Sequence, residues 1–139
     1  MKATDRVGLP PQGYLTVINT FSNQTPPRFK AELRNTGVGP AIITRFEVFL
    51  DNKEDKHFDV DVWLDFPQRS GLAGTGGGSC LDVGDFFAPG QILPLVFYRG
   101  SEDFKEIRNA YRQTRIEIDY KSVYGEKFPT CKFEGADFA

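Results

Sequence analysis

The stretch from residue 28 to residue 50, RFKAELRNTGVGPAIITRFEVFL, decides the fold of this chain. In its first part the apolar residues Phe29, Ala31 and Leu33 alternate with charged residues. Because a period of two places alternate side chains on opposite faces of a β-strand, this part predicts a strand with one dry face. In its last part the alternation resumes and predicts a second strand of about nine residues. The two faces of that second strand are Ile42, Thr44, Phe46, Val48 and Leu50 on one side, and Ile43, Arg45, Glu47 and Phe49 on the other.

The segment between the two runs, Asn35-Thr36-Gly37-Val38-Gly39-Pro40, predicts a tight corner. Gly37 and Gly39 permit backbone angles that other residues avoid, and Pro40 has no N–H to donate to a neighbouring strand. The Asn35 side chain can bond its own backbone two residues further on. The whole block therefore predicts strand, corner and strand, and we expect the corner to serve the structure rather than a ligand.

Shorter runs on either side of this block predict the rest of the fold. Ser101 is placed to cap a helix that buries Phe104, Ile107 and Tyr111, and residues 57–67 favour a short helix or an irregular turn. The predicted elements add up to about seven to eight strands with one or two short helices. This set predicts an all-β (β-dominated) fold, a single antiparallel β-sandwich. Further strands are expected at residues 14–21, 81–87, 92–98, 115–121 and 127–133. The domain is expected to span residues 1–139, with an irregular lead-in at 1–12 and a frayed tail at 134–139.

The length and net charge of the chain limit the number of domains and the classes of partner that we expect. Its 139 residues are enough for one domain with one core. The 17 Lys and Arg against 19 Asp and Glu give a formal net charge of −2, which leaves no basic footprint for nucleic acid or anionic lipid. No apolar run approaches the roughly 20 residues that span a bilayer, and the start MKATDR lacks the apolar region of a signal peptide. We expect a soluble chain with no nucleic-acid partner, no targeting segment and no membrane insertion.

The middle of the chain holds the candidates for chemistry. The glycines of residues 69–79 predict a mobile loop, which lacks the lysine of a P-loop and the third glycine of a dinucleotide fingerprint. His57 is the single histidine, so a hydrolase would be built on it with Asp59 and Asp61. The carboxylates around them depart from the spacing of a calcium loop, which favours a solvated charged loop. No cofactor and no metal are expected.

Thirteen Phe, five Tyr and one Trp make the chain rich in aromatic side chains. Most are expected in the core, but Trp63 and Tyr124 lie at or near predicted loops and are expected to be exposed. Together with Asp59 and Asp61 they form the candidate ligand-binding site. One pocket lined by these residues would favour a carbohydrate or another small ligand, whereas scattered positions would favour a protein or peptide partner.

Cys80 and Cys131 are the two cysteines of the chain. Their separation fits neither a metal-ligand spacing nor a disulfide-dense scaffold. Two ordinary thiols and one disulfide are both compatible with the sequence, and a disulfide would stabilise the fold by about 4 kcal/mol through the entropy of loop closure. Two cysteines therefore do not decide the redox compartment.

The segment from Asn35 to Ala41 resembles an N-x-G-x-G-P-A corner of small bacterial proteins of unknown function. The runs Ile116–Tyr120 and Tyr124–Glu126 resemble the closing hairpin of the same proteins, so the resemblance covers two separate blocks. It implies an Ig-like β-sandwich, often preceded by an N-terminal membrane helix, and it brings no catalytic residues with it. The helix is absent here, which implies a shortened chain or a free-standing soluble relative. The resemblance favours an extracytoplasmic or juxtamembrane location over a cytoplasmic one.

The missing catalytic signature and the implied fold together predict a non-catalytic interaction or sensing module that binds a protein or a peptide. An open sheet edge would offer strand addition to that partner, or to a second copy of the chain in a homo-oligomer. A carbohydrate- or small-ligand-binding module is the alternative, and a hydrolase is a less favoured one.

Overall fold

The computed structural model of the protein describes residues 14–22, 28–50, 53–55 and 61–137. The expected lead-in at 1–12 and the candidate residues His57 and Asp59 lie outside these ranges. Within them the chain forms nine strands, two α-helices and a short 3-10 turn. The strands are β1 (Leu15–Phe21), β2 (Phe29–Asn35), β3 (Ala41–Leu50), β4 (Lys53–Asp55), β5 (Thr75–Gly78), β6 (Phe86–Phe87), β7 (Ile92–Arg99), β8 (Arg115–Ser122) and β9 (Cys131–Glu134). The helices are α1 (Asp61–Arg69) and α2 (Phe104–Tyr111), and the 3-10 turn is Gly135–Asp137.

The strands build two antiparallel sheets that face each other. The first sheet has the order β1-β2-β7-β5, and the second has the order β4-β3-β8-β9, with β6 paired to the start of β3. Apolar side chains from both sheets form one buried core, so the chain is the β-sandwich that the sequence predicts. The outer strands β1 and β9 contact each other across the sandwich. Neither α-helix in the described ranges is long and apolar enough to cross a membrane.

Strand β3 departs from the strict alternation that the sequence predicts. The pairing of β3 with β8 shifts between Ile43 and Arg45, which makes Thr44 the extra residue of a β-bulge. One extra residue turns the following part of a strand over, so Ile43 and Phe46 both face the core although they were predicted on opposite faces. The buried residues of β3 are Ala41, Ile43, Phe46, Val48 and Leu50.

The pairing register defines the two ends of the sandwich. At one end Leu15 pairs with Asn35, and Ala41 pairs with both Phe87 and Ser122. The β2–β3 corner, the segment around β6 and the β8–β9 connection therefore meet at this end, which we call the loop end. At the opposite end α2 carries the chain from β7 to β8, and α1 packs on β5. We call this the helical end.

Aromatic rings close the helical end. Tyr111 of α2 lies at the centre, with its ring centroid 4.8 Å from that of Phe66 and 5.1 Å from that of Phe29. The rings of Trp63 and Tyr98 follow at 6.3 Å and 6.1 Å. The Tyr111 hydroxyl and the Trp63 indole N–H are buried without a hydrogen-bond partner in the described part of the chain. Ring packing therefore holds Trp63 and Tyr111 in this aromatic cluster, whereas the Tyr98 hydroxyl is hydrogen-bonded to Glu102 and to the Gly74 N–H. The cluster consists of Phe29, Trp63, Phe66, Tyr98, Tyr111 and Phe133.

The glycine-rich segment is a strand and not the mobile loop that the sequence predicts. Thr75–Gly78 pairs with β7, and α1 lies directly on it. A Cβ atom at Gly76 would stand 2.7 Å from the Trp63 carbonyl oxygen, and one at Gly78 would stand 2.5 Å from Cδ1 of the Trp63 ring. A strand without side chains lets the helix approach this closely, so the glycines serve packing.

A helix cap and a short strand differ from the sequence prediction. Asp103 caps α2 in place of Ser101, since its carboxylate accepts the Glu106 N–H at 2.9 Å. Strand β3 ends at Leu50, and the charged residues that follow contain a strand that the sequence does not predict, because Lys53–Asp55 pairs back onto β3 as β4. Helix α1 lies at Asp61–Arg69, which agrees with the short helix favoured for the end of residues 57–67.

The tail is structured further than the sequence predicts. The expected fraying at 134–139 is wrong for its first residues, because Glu134 ends β9 and the 3-10 turn follows it. The Gly135 N–H donates to the Thr114 carbonyl oxygen at 2.9 Å, and Gly135 is buried. This bond ties the turn to the residue just before β8. Residues 138–139 lie outside the described ranges.

Candidate functional site

The candidate ligand residues from the sequence do not meet. Trp63 is 0% exposed in the aromatic cluster, whereas Tyr124 is 76% exposed at the loop end. The expected exposure of Trp63 is wrong because α1 turns this side chain onto the glycine strand, and the expected exposure of Tyr124 is correct. Asp61 is the first residue of α1, and its side chain, like the whole of Asp59, lies outside the described part. Trp63 and Tyr124 therefore share no pocket.

Cys80 and Cys131 are not joined by a disulfide, and both are half-buried. Cys80 follows β5 at one edge of the first sheet, and Cys131 lies in β9 at the edge of the sandwich that faces β1. Burial raises the pKa of the Cys131 thiol to about 11, so this thiol is neutral and a weak nucleophile near pH 7. The disulfide that the sequence leaves open is not formed in this structure.

The loop end carries the most exposed large apolar side chains of the described residues. Nine such side chains are exposed among the described residues. The four most exposed are Tyr124, Val83, Phe86 and Val38. All four lie on the connections or on β6 at the loop end. We call these four residues the loop-end surface. Because burial of one large apolar side chain contributes about 1.5–3 kcal/mol, a partner gains most by covering this surface.

Asn35 fixes the corner that presents Val38. Its Nδ2 donates to the carbonyl oxygens of Gly39 at 3.0 Å and Phe87 at 2.8 Å. Its Oδ1 accepts the Gly37 N–H at 3.0 Å, which is the bond to its own backbone that the sequence predicts. Asn35 is only 2% exposed, so these bonds are shielded from water. One buried amide therefore joins the corner to β6.

Ser122 fixes the turn that presents Tyr124. Its hydroxyl oxygen accepts the N–H groups of Tyr124 and Glu126, each at 3.2 Å. Its carbonyl oxygen accepts the Gly125 N–H at 3.0 Å, and Gly125 has the left-handed φ of 83° that suits glycine. Ser122 is fully buried. The tip of the turn, Val123 and Tyr124, is therefore held outward by a bonded backbone.

The segment before β6 is bonded to the start of β3. The Ile43 N–H donates to the Asp85 carbonyl oxygen at 2.9 Å, and the Gly84 N–H donates to the Ile43 carbonyl oxygen at 2.8 Å. Strands β6 and β8 flank the first residues of β3 on its two sides. Since neighbouring strands lie about 4.8 Å apart, β6 and the end of β8 are about 10 Å apart, which one partner can span.

Clefts among the described residues also open away from the four residues of the loop-end surface. One of about 480 Å³ opens beside the bulge of β3, and one of about 370 Å³ opens between α2 and the 3-10 turn. Neither is lined by Trp63 or by Tyr124. The lining of the larger cleft includes Thr44, Asp119, Lys121, Lys127, Phe128 and Thr130. The smaller cleft is lined by Lys105, Arg108, Asn109, Arg112, Gly135 and Ala136.

Arg45 organises the outward face of the second sheet beside the larger cleft. Its guanidinium lies 2.7 Å from Asp119, 3.1 Å from Glu117 and 3.2 Å from Glu47. The hydrogen bond from Arg45, followed by the one from the Thr130 hydroxyl at 2.5 Å, lowers the pKa of Asp119. A carboxylate held ionised in this way is a poor general acid at neutral pH. This cluster therefore holds strands together.

No three His, Cys, Asp or Glu side chains in the described ranges come together in a way that could hold a metal ion. No protein-family model matches the chain, and no curated protein matches it. The geometry of the loop end is therefore the basis for a functional proposal.

Sequence reasoning missed three of the four residues of the loop-end surface. Phe86 carried a usable signal, because two consecutive Phe residues in a strand must point to opposite faces, and Phe87 is the buried one. Val38 carried a second signal, because it stands alone between the glycines of a predicted corner. Val83 carried none, since an isolated Val does not reveal on which side of a loop it lies.

Proposed function

We propose that this chain is a non-catalytic interaction module that binds a protein or peptide partner through the loop-end surface. One observation carries the proposal: the four most exposed large apolar side chains of the described residues all lie on segments that meet at one end. Apolar side chains scattered singly need no explanation, whereas a concentration at one site is typical of an interaction surface. The partner is therefore expected to present an apolar contact site of its own.

The anchoring of the loops supports the same proposal. Asn35 and Ser122 bond the corner and the β8–β9 turn to the body of the sandwich before any partner arrives. A surface that is ordered in the free protein loses less conformational entropy on binding. Phe86 and Tyr124 add rigid rings, and aromatic residues are enriched among those that dominate binding energies.

The strand order also supports the Ig-like character that the sequence resemblance implies. Ig-like sandwiches hold strands A, B, E and D in one sheet and C, F and G in the other. In this chain the first sheet, β1-β2-β7-β5, corresponds to A, B, E and D. In the second sheet β3, β8 and β9 correspond to C, F and G, and β4 lies beside β3. In that scheme the corner and the β8–β9 turn are the B–C and F–G connections, which antibody variable domains use for recognition. The Asn35 bonds supply a structural reason for the asparagine of the N-x-G-x-G-P-A corner.

The test selects ligands without assuming their identity. A random peptide library is enriched on the immobilised full chain, and the dissociation constants of the enriched peptides are then measured for the wild type and for a Phe86→Ser, Tyr124→Ser variant. We expect at least tenfold weaker binding to the variant, because two apolar anchors are lost and 1.4 kcal/mol corresponds to a factor of ten.

The matched control is Leu64→Ser. Leu64 is an exposed apolar residue of α1 outside the loop-end surface, so its replacement should leave peptide binding unchanged. Peptides that bind the double variant as tightly as the wild type would contradict the proposal, as would a library that yields no enriched peptide.

A small ligand is the second candidate, and the cleft of about 480 Å³ beside the β3 bulge supports it. Its volume lies within the range of small-molecule sites, and its lining combines the ring of Phe128 with the charged groups of Lys121 and Lys127. A sugar or organic anion that raises the melting temperature of the wild type and of Phe86→Ser, but not of Lys127→Ala, would favour this candidate.

A further inference from the structure

We propose that the outer edge of β1, which no other described strand pairs with, pairs with β1 of a second copy of this chain and joins the first sheets of two copies into one continuous antiparallel sheet. Within the described residues β1 is the outermost strand of the first sheet and pairs with β2 alone. This surface is distinct from the loop-end surface, so a partner at the loops and a second copy at β1 can bind together.

The bonds between β1 and β2 show which backbone groups of β1 are already used. The Thr36 N–H donates to the Tyr14 carbonyl oxygen at 2.8 Å, and the Ser22 N–H donates to the Arg28 carbonyl oxygen at 2.9 Å. In an antiparallel pair every second residue exchanges both of its bonds with the neighbour. The even-numbered residues of β1 therefore bond to β2, and the odd-numbered residues direct their N–H and C=O groups to the outer edge.

Part of that outer edge is open. The Leu15 N–H donates to the Tyr120 hydroxyl oxygen at 3.1 Å, which closes the edge at its first residue. The outward backbone groups of Val17 and Asn19 have no partner within the part of the chain that the structure describes. Ile18 and Asn19 are exposed, so a second strand can reach these groups.

Strand β1 also lacks the devices that normally protect an edge. Its sequence, LTVINTF, contains no charge and no proline, and its register with β2 runs without a bulge. The other outer strands are short, and two of them are charged. Strand β4 is Lys53-Glu54-Asp55, β9 holds Lys132 and Glu134 in four residues, and the four residues of β5 lie under α1.

A second copy fits this edge because β1 is complementary to itself. With a two-fold axis at Ile18, Val17 of each copy lies opposite Asn19 of the other, and the two exchange both backbone bonds. On the outer face Ile18 then lies opposite its own copy, and Thr16 lies opposite Thr20. Apolar and hydroxyl pairs of this kind stabilise neighbouring strands, and no like charges oppose each other within β1.

The charges of the neighbouring strand do not prevent this pairing. Glu32 of β2 lies 3.1 Å from Arg34 and 3.7 Å from Lys30, so most of the charge is balanced within each copy. The two β2 strands would lie three strand spacings apart, about 14 Å, which exceeds the screening length of about 8 Å at physiological salt. Strand β1 itself has no charged side chain that would favour a charged peptide over a second copy.

The first experiment measures association of the wild-type chain. Sedimentation is recorded from about 10 µM to about 1 mM, since pairing along one short edge buries little area and is weak. We expect the average mass to rise from the monomer towards the dimer. Over the same range we expect amide hydrogen exchange in β1 to slow at least threefold while exchange in β9 stays constant.

Two variants locate the contact. Ile18→Lys places two like charges opposite each other at the two-fold axis, and Asn19→Pro removes an outward N–H that the described fold does not use. Each should weaken the dimer at least tenfold. Leu64→Lys makes the same kind of change on α1 and should leave the dimer intact. Melting temperatures establish which variants fold. If Ile18→Lys does not fold, Asn19→Pro and the hydrogen-exchange data of the wild type test the proposal.

Three results would overturn the proposal. One is a wild type that stays monomeric at every concentration. This includes the case in which amide exchange in β1 slows only after an extended peptide is added, since the edge would then bind a peptide and not a second copy. Another is a dimer that both β1 variants retain. The third is a dimer in which exchange slows in a strand other than β1.

Discussion

The two ends of the sandwich use aromatic side chains in opposite ways. At the helical end Trp63, Tyr98 and Tyr111 are fully buried, because α1 and α2 provide surfaces to cover them. At the loop end Phe86 is 64% and Tyr124 is 76% exposed, and both described helices lie at the other end. The same chemistry thus stabilises the fold at one end and stays available to a partner at the other. Under the proposed function, the helical end supplies stability and the loop end is left for recognition.

The means of holding each end also differ. The helical end depends on ring packing, and two of its buried polar groups, the Tyr111 hydroxyl and the Trp63 N–H, have no partner in the described part. At the loop end the Asn35 amide uses both of its donor positions, and Ser122 accepts two backbone N–H groups. Mutations of Tyr111 should therefore reveal a dependence on packing, and mutations of Asn35 a dependence on hydrogen bonds.

The largest effect is expected for Tyr111→Ala. This substitution removes the ring that contacts Phe29 and Phe66 at the centre of the cluster, and large-to-small changes at such sites cost about 3–5 kcal/mol. Urea unfolding measures the loss. Tyr111→Phe is the control, because it keeps the ring and removes a hydroxyl that has no partner among the described residues, so stability should stay equal or rise. A Tyr111→Phe variant as unstable as Tyr111→Ala would show that the hydroxyl, and not packing, holds this end.

The next effect is expected at the loop end, for Asn35→Asp. The substitution keeps the acceptor for the Gly37 N–H but replaces the donor to Gly39 and Phe87 with an oxygen that faces two carbonyl oxygens. Two buried bonds lost at about 1 kcal/mol each, with added repulsion, predict a loss of about 2–3 kcal/mol. Asn109→Asp makes the same change on the exposed face of α2 and should cost less than about 0.5 kcal/mol. Equal costs in the two variants would remove Asn35 as an anchor.

Alkaline pH should weaken the helical end through Tyr98. Burial, and then the hydrogen bond to Glu102 at 2.6 Å, raises the pKa of Tyr98 to about 12 from the ordinary value of 10.0. The unfolded chain therefore releases this proton first, so the contribution to stability is complete below about pH 10 and is lost as pH rises towards 12. At pH 11 the loss is roughly 1 kcal/mol. Thermal melts at pH 8 and pH 11 measure it, and a Tyr98→Phe variant should lose less over that interval than the wild type.

The corner at the loop end was predicted from sequence and the glycine strand at the helical end was not, for a physical reason. The corner depends on local chemistry, since Asn35 bonds the backbone two residues away, and a sequence pattern records local chemistry. The strand at Gly76–Gly78 packs against α1, and only this tertiary contact explains why the strand consists of glycines. The sequence pattern alone therefore indicates a loop. The β3 bulge at Thr44 is likewise invisible, because the apolar alternation continues on both sides of it.

The same reasoning explains the outcome for the candidate site. Tyr124 was placed correctly because a turn after β8 exposes its tip by local geometry alone. Trp63 was misplaced because its burial depends on β5 and on Tyr111 of α2, both distant in sequence. Burial that arises from long-range packing leaves no mark on the local pattern of residues.

The smallest effect is expected for the double variant Phe86→Ser, Tyr124→Ser, and it separates the two ends most sharply. Both side chains are mostly exposed, and the backbone that carries Tyr124 is bonded through Ser122, so urea unfolding should change by less than about 0.5 kcal/mol. The same variant is expected to lose at least tenfold in peptide binding. A loss of stability near that of Asn35→Asp would mean that the rings support the loops instead of serving a partner. Unchanged stability with lost binding would mean that recognition at the loop end can be altered independently of the aromatic cluster that stabilises the fold.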